Sequence, residues 1–406
     1  MNKDLIPARA EAAIANMIRG QIIDRLDANQ GRTLRDYNAR TGCKAYSGNW
    51  CTGVFMACLL AMYKRTGKQE YLDRAEFAGH YIMSLQNLDS RDKRRYGLFH
   101  EVTPQSVEVC PRDATTAAWC LVWLYEATHK EEYLDRAVLF AEWHMEHGMY
   151  NGWPHWAVFQ DEKNTKYYMR GSFQSGTGLF YHDLFMHTND PRYIERGLRP
   201  IADIYIRDFF REDGSLIKQR NVFSNREADR NDGADELSMH SFNDDFGAQM
   251  LMAASDLFED DRYRSQARKF ALWLAAHQQE DGNFSNGIKT ISSAVPIALM
   301  YFDELGRYYQ DTVLMEAAEK SFRKLLDMQL MESSDPLLHG AFEGMIASPD
   351  DDPRTIVQLR TNAYALIALL KVEGKIRNFW LGGEHNDKFI DPIYIYTRDN
   401  PYPFKY

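Results

Sequence analysis

No stretch of this chain approaches the roughly 20 consecutive apolar residues that a membrane helix needs, so no span is expected. The first residues, MNKDLIPARAEAAIANMIRG, lack the apolar core of about 7–15 residues that marks a secretory leader. A cytoplasmic location is therefore the expectation, with export open to a form whose leader had been removed. Basic charge is also short. There are 48 Lys and Arg against 58 Asp and Glu, a net charge of −10, which leaves no electrostatic footprint for a nucleic-acid partner. Cysteine is scarce: Cys43, Cys51, Cys58, Cys110 and Cys120 all fall in the first third, with no CxxC pair. Free thiols in a reducing compartment are expected rather than a disulfide framework. Strand-like runs are sparse, with SLIKQ and NVFSN near residues 215–225 suggesting one small hairpin.

What the 406 residues do hold is a repeat. EYLDRAEFAGHY from Glu70 and EYLDRAVLFAEW from Glu132 put Tyr71 and Tyr133 in matching places, and RYIERGLRPIADIY and RYRSQARKFALWLA continue the series at Tyr193 and Tyr263. A degenerate fifth copy is VLMEAAEKSFRKLLDMQ, and PARAEAAIANMIRGQIIDRLD serves as a first member. Each is amphipathic at helical spacing and charged on one face. A period near 60 residues marks a repeat architecture. Between the copies lie six more apolar segments, predicted as helices over 50–63, 113–128, 175–188, 244–258, 292–305 and 359–372. Segments apolar all round are buried between other elements. Six outer and six inner helices in alternation predict an all-α fold: a single (α/α)6 toroid of six helical hairpins spanning residues 1–406 as one domain. The loops entering the inner helices are long (88–109, 150–171, 209–239 and 330–354), and those leaving are short. That asymmetry puts function on the long-loop rim, where the inner-helix N-termini gather.

Polar and aromatic phrases mark that rim. In HSFNDDFG, Asp244 and Asp245 stand side by side at a helix mouth. One acid suffices as a cap, so the other is expected to face the pore, with Asp245 favoured. Adjacent residues diverge by about 100° around a helix, and two close carboxylates should raise one pKa, as a general acid requires. CPRDATTAAW offers Asp113 as acid or base, with Arg112 as a planar fork for a sugar carboxylate. HGAFEGM brings Glu343 as a further catalytic acid, with His339 and Phe342 beside it. Candidate substrate contacts are Tyr46 and Trp50 before the first inner helix, Trp153, His155 and Trp156 in NGWPHW, Gln174 in GSFQSG, His240, and Arg360 in LRTNAY. Aromatics are 13% of the chain (23 Tyr, 22 Phe and 8 Trp), and such rings suit the faces of sugars. In QEDGNF, Gln279, Asp281 and Asn283 fit turn chemistry better. No metal constellation or cofactor motif is legible, so a metal-free, cofactor-free mechanism is expected.

With this architecture the chain resembles the (α/α)6-toroid carbohydrate-active enzymes: glycoside hydrolases, unsaturated uronyl hydrolases, polysaccharide lyases and uronyl C5-epimerases. LAAHQQEDGNF looks like a turn that recurs in those toroids, and NGWPHW followed by GSFQSGTGLFYH is similar to the C-terminal domain of glucuronyl C5-epimerases. The resemblance implies a carbohydrate substrate. A glycoside hydrolase acting on an acidic, uronate-containing glycan through paired carboxylates is the leading expectation. The alternative is a uronate lyase or C5-epimerase, in which Tyr46, His155, His240, Arg112 and Arg360 would matter more than the acids. A non-catalytic helical scaffold is the third reading, and it predicts no buried acid with a perturbed pKa. The oligomeric state is left open.

Overall fold

The computed structural model describes residues 1–46, 48–159, 169–221, 239–287, 290–345 and 351–374. In chain order the helices are α1 (Ile6–Arg19), α2 (Asn49–Thr66), α3 (Gln69–Ser84), α4 (Pro111–Thr128), α5 (Glu131–Trp143), α6 (Thr177–Thr188), α7 (Arg199–Asp208), the single turn α8 (Met239–Phe242), α9 (Gly247–Phe258), α10 (Asp261–His277), α11 (Ala294–Tyr309), α12 (Thr312–Asp327) and α13 (Leu359–Glu373). The six apolar segments become α2, α4, α6, α9, α11 and α13, buried along most of their length. The amphipathic α1, α3, α5, α7, α10 and α12 wrap around them.

Each inner helix stops at a left-handed residue: Gly67, His129, Asn189, Glu259, Gln310 and Gly374. In each case its N–H returns to a carbonyl of the last turn, which ends a helix within one residue. Four of these stops (Gly67, His129, Glu259 and Gln310) lead into the next outer helix within two residues, which accounts for the short-loop face.

The repeat also shows how the ring closes. Gln329, just past α12, donates its Nε2 to the carbonyls of Gly340 (3.0 Å) and of Arg9 on α1 (2.9 Å). Gln21, Gln86 and Gln278 do the same, each bridging its own turn glycine and the following outer helix. For Gln329 the following outer helix is the first one. Gly340 adopts φ +83°, and a Cβ there would lie 2.3 Å from the Ala12 carbonyl oxygen. Only glycine fits that close approach. Positive-φ glycines recur at the matching place in the other five repeats (Gly31, Gly97, Gly152, Gly214, Gly282). The repeated tyrosines reach back to carboxylates on the preceding outer helix: Tyr71 to Glu11 (2.7 Å), Tyr133 to Glu76 (3.0 Å) and Tyr263 to Asp203 (2.7 Å). A bidentate pair between Arg65 and Glu373, both bonds 2.8 Å, joins α2 to α13.

Three expectations are corrected. The first outer helix stops at Arg19, because Gly20 ends it and Gln21 bridges to Thr33. In the described part of the hairpin expected near residues 215–225, the pairing goes to other segments, Leu216 bridging to Phe210. Gln219–Asn221 pairs antiparallel with Met169–Gly171, and residues 222–225 lie outside the described residues. The fourth inner helix begins at Gly247, so Asp244 and Asp245 precede it rather than sit on it. One feature was not anticipated. Leu34–Asn38 lies between Cys43–Tyr46 and Ile356–Gln358 in a three-stranded antiparallel sheet. This sheet ties the long loops of the first repeat to those of the last.

Candidate active site

The acids of HSFNDDFG part company at a turn. Asp245 and Phe246 take φ +47° and +77°, left-handed values that non-glycine residues adopt at a cost. The turn sends the two carboxylates to different places. Asp244 is fully buried. Its Oδ2 accepts from the Ala248 amide (2.7 Å), so it caps α9, and from the Tyr205 hydroxyl (3.1 Å), while its Oδ1 accepts from the Tyr301 hydroxyl (2.5 Å). Burial pushes its pKa up to about 6, against the lowering effect of those three donors.

Asp245 goes the other way. Its Oδ1 accepts from Arg360 (2.6 Å) and from the Tyr364 hydroxyl (2.7 Å). Burial opposes ionisation, but Arg360, Arg112, His240 and Tyr364 overcome it and hold the carboxyl below the usual carboxylate range. Arg360 keeps 27% of its side chain exposed and stacks 4.5 Å over the Trp50 ring. Trp50 meets Tyr364 edge-on. The N-terminal ends of α2 and α13 therefore meet at this point, together with the turn that enters α9.

Arg112 brings in α4, but not as expected. It is 4% exposed, and its donors go to the Phe173 carbonyl (3.1 Å), the Thr116 hydroxyl and the Asp245 carbonyl (3.4 Å). It braces the turn instead of waiting for a ligand. Its neighbour Asp113 is partly exposed and senses both Arg360 and Asp245. Beside it stands Glu101, which sequence reasoning missed. Burial comes first and the mutual charge second in holding Glu101 well above the carboxylate range; burial likewise holds Asp113 up, against Arg112 and Arg360. With both carboxyls held above the ordinary range at close quarters, sharing one proton is favoured over two charges. Glu101, Cys110 and Asp113 each place a donor atom within 4.8 Å of the others, a mixed thiol–carboxylate set that could hold a metal ion and that chain spacing did not reveal. The one sequence signal for Glu101 was the Gln-turn motif itself: GLFHE follows the Gln86 turn and enters the rim loop.

Over the rim, Phe173 links two expected contacts. It stacks on His240 (4.4 Å between ring centroids) and meets Trp156 edge-on (4.9 Å). His240 sits on α8, its pKa lowered to about 4 by burial, so its ring is neutral near pH 7. Tyr46 is exposed on the three-stranded sheet.

Other expected contacts are not brought to this cluster. Trp153 is 1% exposed and stacks on Phe209 (4.7 Å) and Tyr205, so it fills the wall. Gln174 is fully buried; it accepts from the Gly171 amide (2.6 Å) and donates to the Pro154 carbonyl (2.8 Å), tying the loop together. His155 is buried beside His144, which senses its charge. Phe342 is fully buried, its amide bonded to Asn362 (2.8 Å). His339 lies over α1, its carbonyl accepting from Asn16 and Arg19. Glu343 is raised by burial but faces Lys324 and Arg354, and Asp245 is not among its charged neighbours. The residues of HGAFEGM stand where the ring closes; there Phe342 is packed into the core, while His339 and Glu343 are half-buried. The QEDGNF turn behaves as expected, with Asp281 accepting from the Asn283 amide (3.0 Å). The bridging glutamine is Gln278, however, not Gln279.

Solved structures show the same frame. A cellobiose 2-epimerase from Bacillus thermoamylovorans superposes with a TM-score of 0.70 at 13% identity, covering 90% of this chain and 98% of that one. The chain has the (α/α)6 toroid fold. An unsaturated glucuronyl hydrolase from Bacillus sp. GL1, responsible for glycosaminoglycan degradation, gives 0.69 at 16% identity over 94% and 100%. A family 76 mannosidase from Bacteroides thetaiotaomicron gives 0.63 at 15% over 91% and 99%. The sequence itself matches no protein-family model and no curated protein. Among the described residues, no helix is long and apolar enough to cross a membrane.

Proposed function

We propose that this protein is a glycoside hydrolase acting on an acidic, uronate-containing oligo- or polysaccharide. One observation carries the reading. A carboxyl pair that retains a proton, Glu101 with Asp113, shares a rim with a carboxylate held ionised, Asp245. Two acids with oppositely displaced pKa values are what glycosidic hydrolysis asks for. The Glu101–Asp113 pair delivers its proton to the leaving oxygen as the anomeric C–O bond breaks. Asp245 stabilises the developing positive charge and takes a proton from the attacking water. Arg360, part-exposed over Trp50, supports the reading as the cation that would pair with a uronate carboxylate. The shared fold of epimerases, a glucuronyl hydrolase and a mannosidase supports a saccharide substrate. The perturbed acids count against a non-catalytic scaffold.

A second reading, epimerisation or elimination at C5, draws on His240. A neutral imidazole beside the Asp245–Arg360 pair suits proton abstraction from carbon. A panel of uronate oligosaccharides in deuterated water separates the chemistries. The hydrolase reading expects new reducing ends, abolished in Asp245→Asn and Asp113→Asn. Deuterium at C5 without cleavage, or absorbance from a 4,5-unsaturated product, would move the assignment to the second reading.

A further inference from the structure

We infer that Asp244 is a positioning residue: its buried carboxylate, held by Tyr205, Tyr301 and the Ala248 amide, fixes the left-handed turn that presents Asp245 to the rim. The inference rests on the reading of Asp245 as the ionised carboxylate of the reaction.

Asp244 cannot meet a substrate in this arrangement. It is fully buried, and its three hydrogen bonds run inward to α7, α9 and α11. A cap needs one acceptor for one amide. Two buried tyrosine hydroxyls from two further helices exceed that need. What they oppose is the backbone that follows. Two successive non-glycine residues at positive φ persist only where the surroundings impose them. Here the surroundings do so from several sides. The Asp244 carboxylate spans the turn to Ala248. The Asn243 side chain accepts from the Asp245 amide (3.0 Å), and Arg112 donates to the Asp245 carbonyl. Gly176 gives that carbonyl room, since a Cβ there would stand 2.3 Å from it. The Phe246 ring then meets Tyr364 edge-on at 4.7 Å, and Tyr364 is the hydroxyl that donates to Asp245. The chain of contacts therefore runs unbroken from the Tyr205–Asp244–Tyr301 group to the Asp245 carboxylate.

Protonation should loosen this arrangement. The groups facing Asp244 are Tyr205 from α7, Tyr301 from α11, the Ala248 amide from α9 and the adjacent Asp245. A protonated Asp244 loses its charge and gains an O–H donor on one oxygen, so the Tyr301 hydroxyl at Oδ1 must turn round to accept, while Oδ2 is left as a weaker, neutral acceptor for the Ala248 amide and the Tyr205 hydroxyl. The turn should therefore relax as pH falls through about 6.

Two variants test the inference, each read by kinetics on a verified glycan and by crystallography. Asp244→Asn keeps the shape, removes the charge and leaves one acceptor. Tyr301→Phe keeps the acid and removes one donor. The expected result for Asp244→Asn is a kcat lower by about 10–100-fold with KM within about twofold, since a displacement near 1 Å suffices for such a loss. Its kcat–pH profile should lack the component near pH 6, and its crystal structure should show relaxed φ angles at 245 and 246 with Asp245 drawn off Arg360. Tyr301→Phe should move in the same direction by less, and it decides the matter if Asp244→Asn fails to fold. An unmoved turn with lost turnover would overturn the inference, since Asp244 would then act chemically. So would a moved turn with unchanged kcat. If the wild type cleaves no glycan, the hydrolase reading fails, while the crystal structures still decide what Asp244 holds in place.

Discussion

Arg360 sets the charge of Asp245, and removing it should move a titration in a stated direction. The perturbation is Arg360→Met, which keeps an unbranched chain over the Trp50 ring and deletes the charge. The guanidinium nitrogen lies 2.6 Å from Asp245 Oδ1. With the charge centres roughly 4 Å apart, an effective dielectric of about 20 gives about 4 kcal/mol, or about 3 pH units. The side chain is 27% exposed, so water screens part of this and a shift of about 1–2 units remains. In the wild type Asp245 is held below the usual range, so it strengthens the fold above its unfolded pKa, and that contribution is lost as pH falls through the folded value. Without Arg360 the largest effect opposing burial is gone, so the folded pKa rises and the stabilisation present above the unfolded pKa shrinks, although Arg112, His240 and Tyr364 still favour the charge. The acid limb of kcat/KM, which reports ionisations of the free enzyme, should move up by the same 1–2 units on any glycan the wild type cleaves. An unmoved acid limb would show that Asp245 is not the ionised group of the reaction, and the hydrolase assignment would lose its base.

Three further outcomes follow from the same geometry. The retained proton on Glu101 and Asp113 means that folding is favoured below the ordinary carboxylate pKa and that this contribution is lost as pH rises through the raised values. Asp113→Asn should therefore be more stable than wild type at pH 8 in urea unfolding while losing turnover by about 10²-fold or more; lower stability at pH 8 would contradict the coupling. Trp156→Ala should weaken glycan binding with little change in unfolding, whereas Trp153→Ala should cost about 3–5 kcal/mol. Equal stability losses by calorimetry would erase the distinction. Gln329→Met should cost what Gln86→Met costs, about 2–4 kcal/mol for two buried carbonyls left without a donor. A negligible cost at Gln329 alone, in denaturant melts, would mean that the first and last repeats do not join.

The ring was legible because its signals are local and repeated. Helical periodicity in EYLDRA-type segments and all-round apolarity in NWCTGVFMACLLAMY each state a packing role without reference to a partner, and six repetitions leave one closed solution. The residues that seal it were visible only in part. Gln279, Asp281 and Asn283 read as turn chemistry, but Gln278 and Gln329 beside such turns do not stand out, and nothing in one sequence says that a glutamine near residue 329 will reach a carbonyl at residue 9.

The rim was legible as a place and not as a mechanism, and the reason is directional. Sequence put Arg112, Trp153, Gln174 and Asp245 near helix mouths, and four of the inner helices or their entering turns do converge there. Whether a side chain at such a mouth points into the basin or back into the wall depends on a few backbone angles. Arg112 turns back to brace a carbonyl, and Trp153 and Gln174 fill and tie the wall. At Asp244 and Asp245 the argument from helical spacing fails outright, because neither lies on the helix. Asp245 and Phe246 are left-handed instead, and the turn they make sends the two neighbouring carboxylates apart. That is a conformation which propensity assigns to glycine and which only the surrounding tyrosines, Arg112 and Gly176 can impose. Glu101 escaped notice for a related reason: its loop approaches Asp113 in space, where two acids become one proton site, although eleven intervening residues show no motif. Chemistry that depends on paired charges is a property of the assembled rim, and the strained turn before α9 is the element that assembles it.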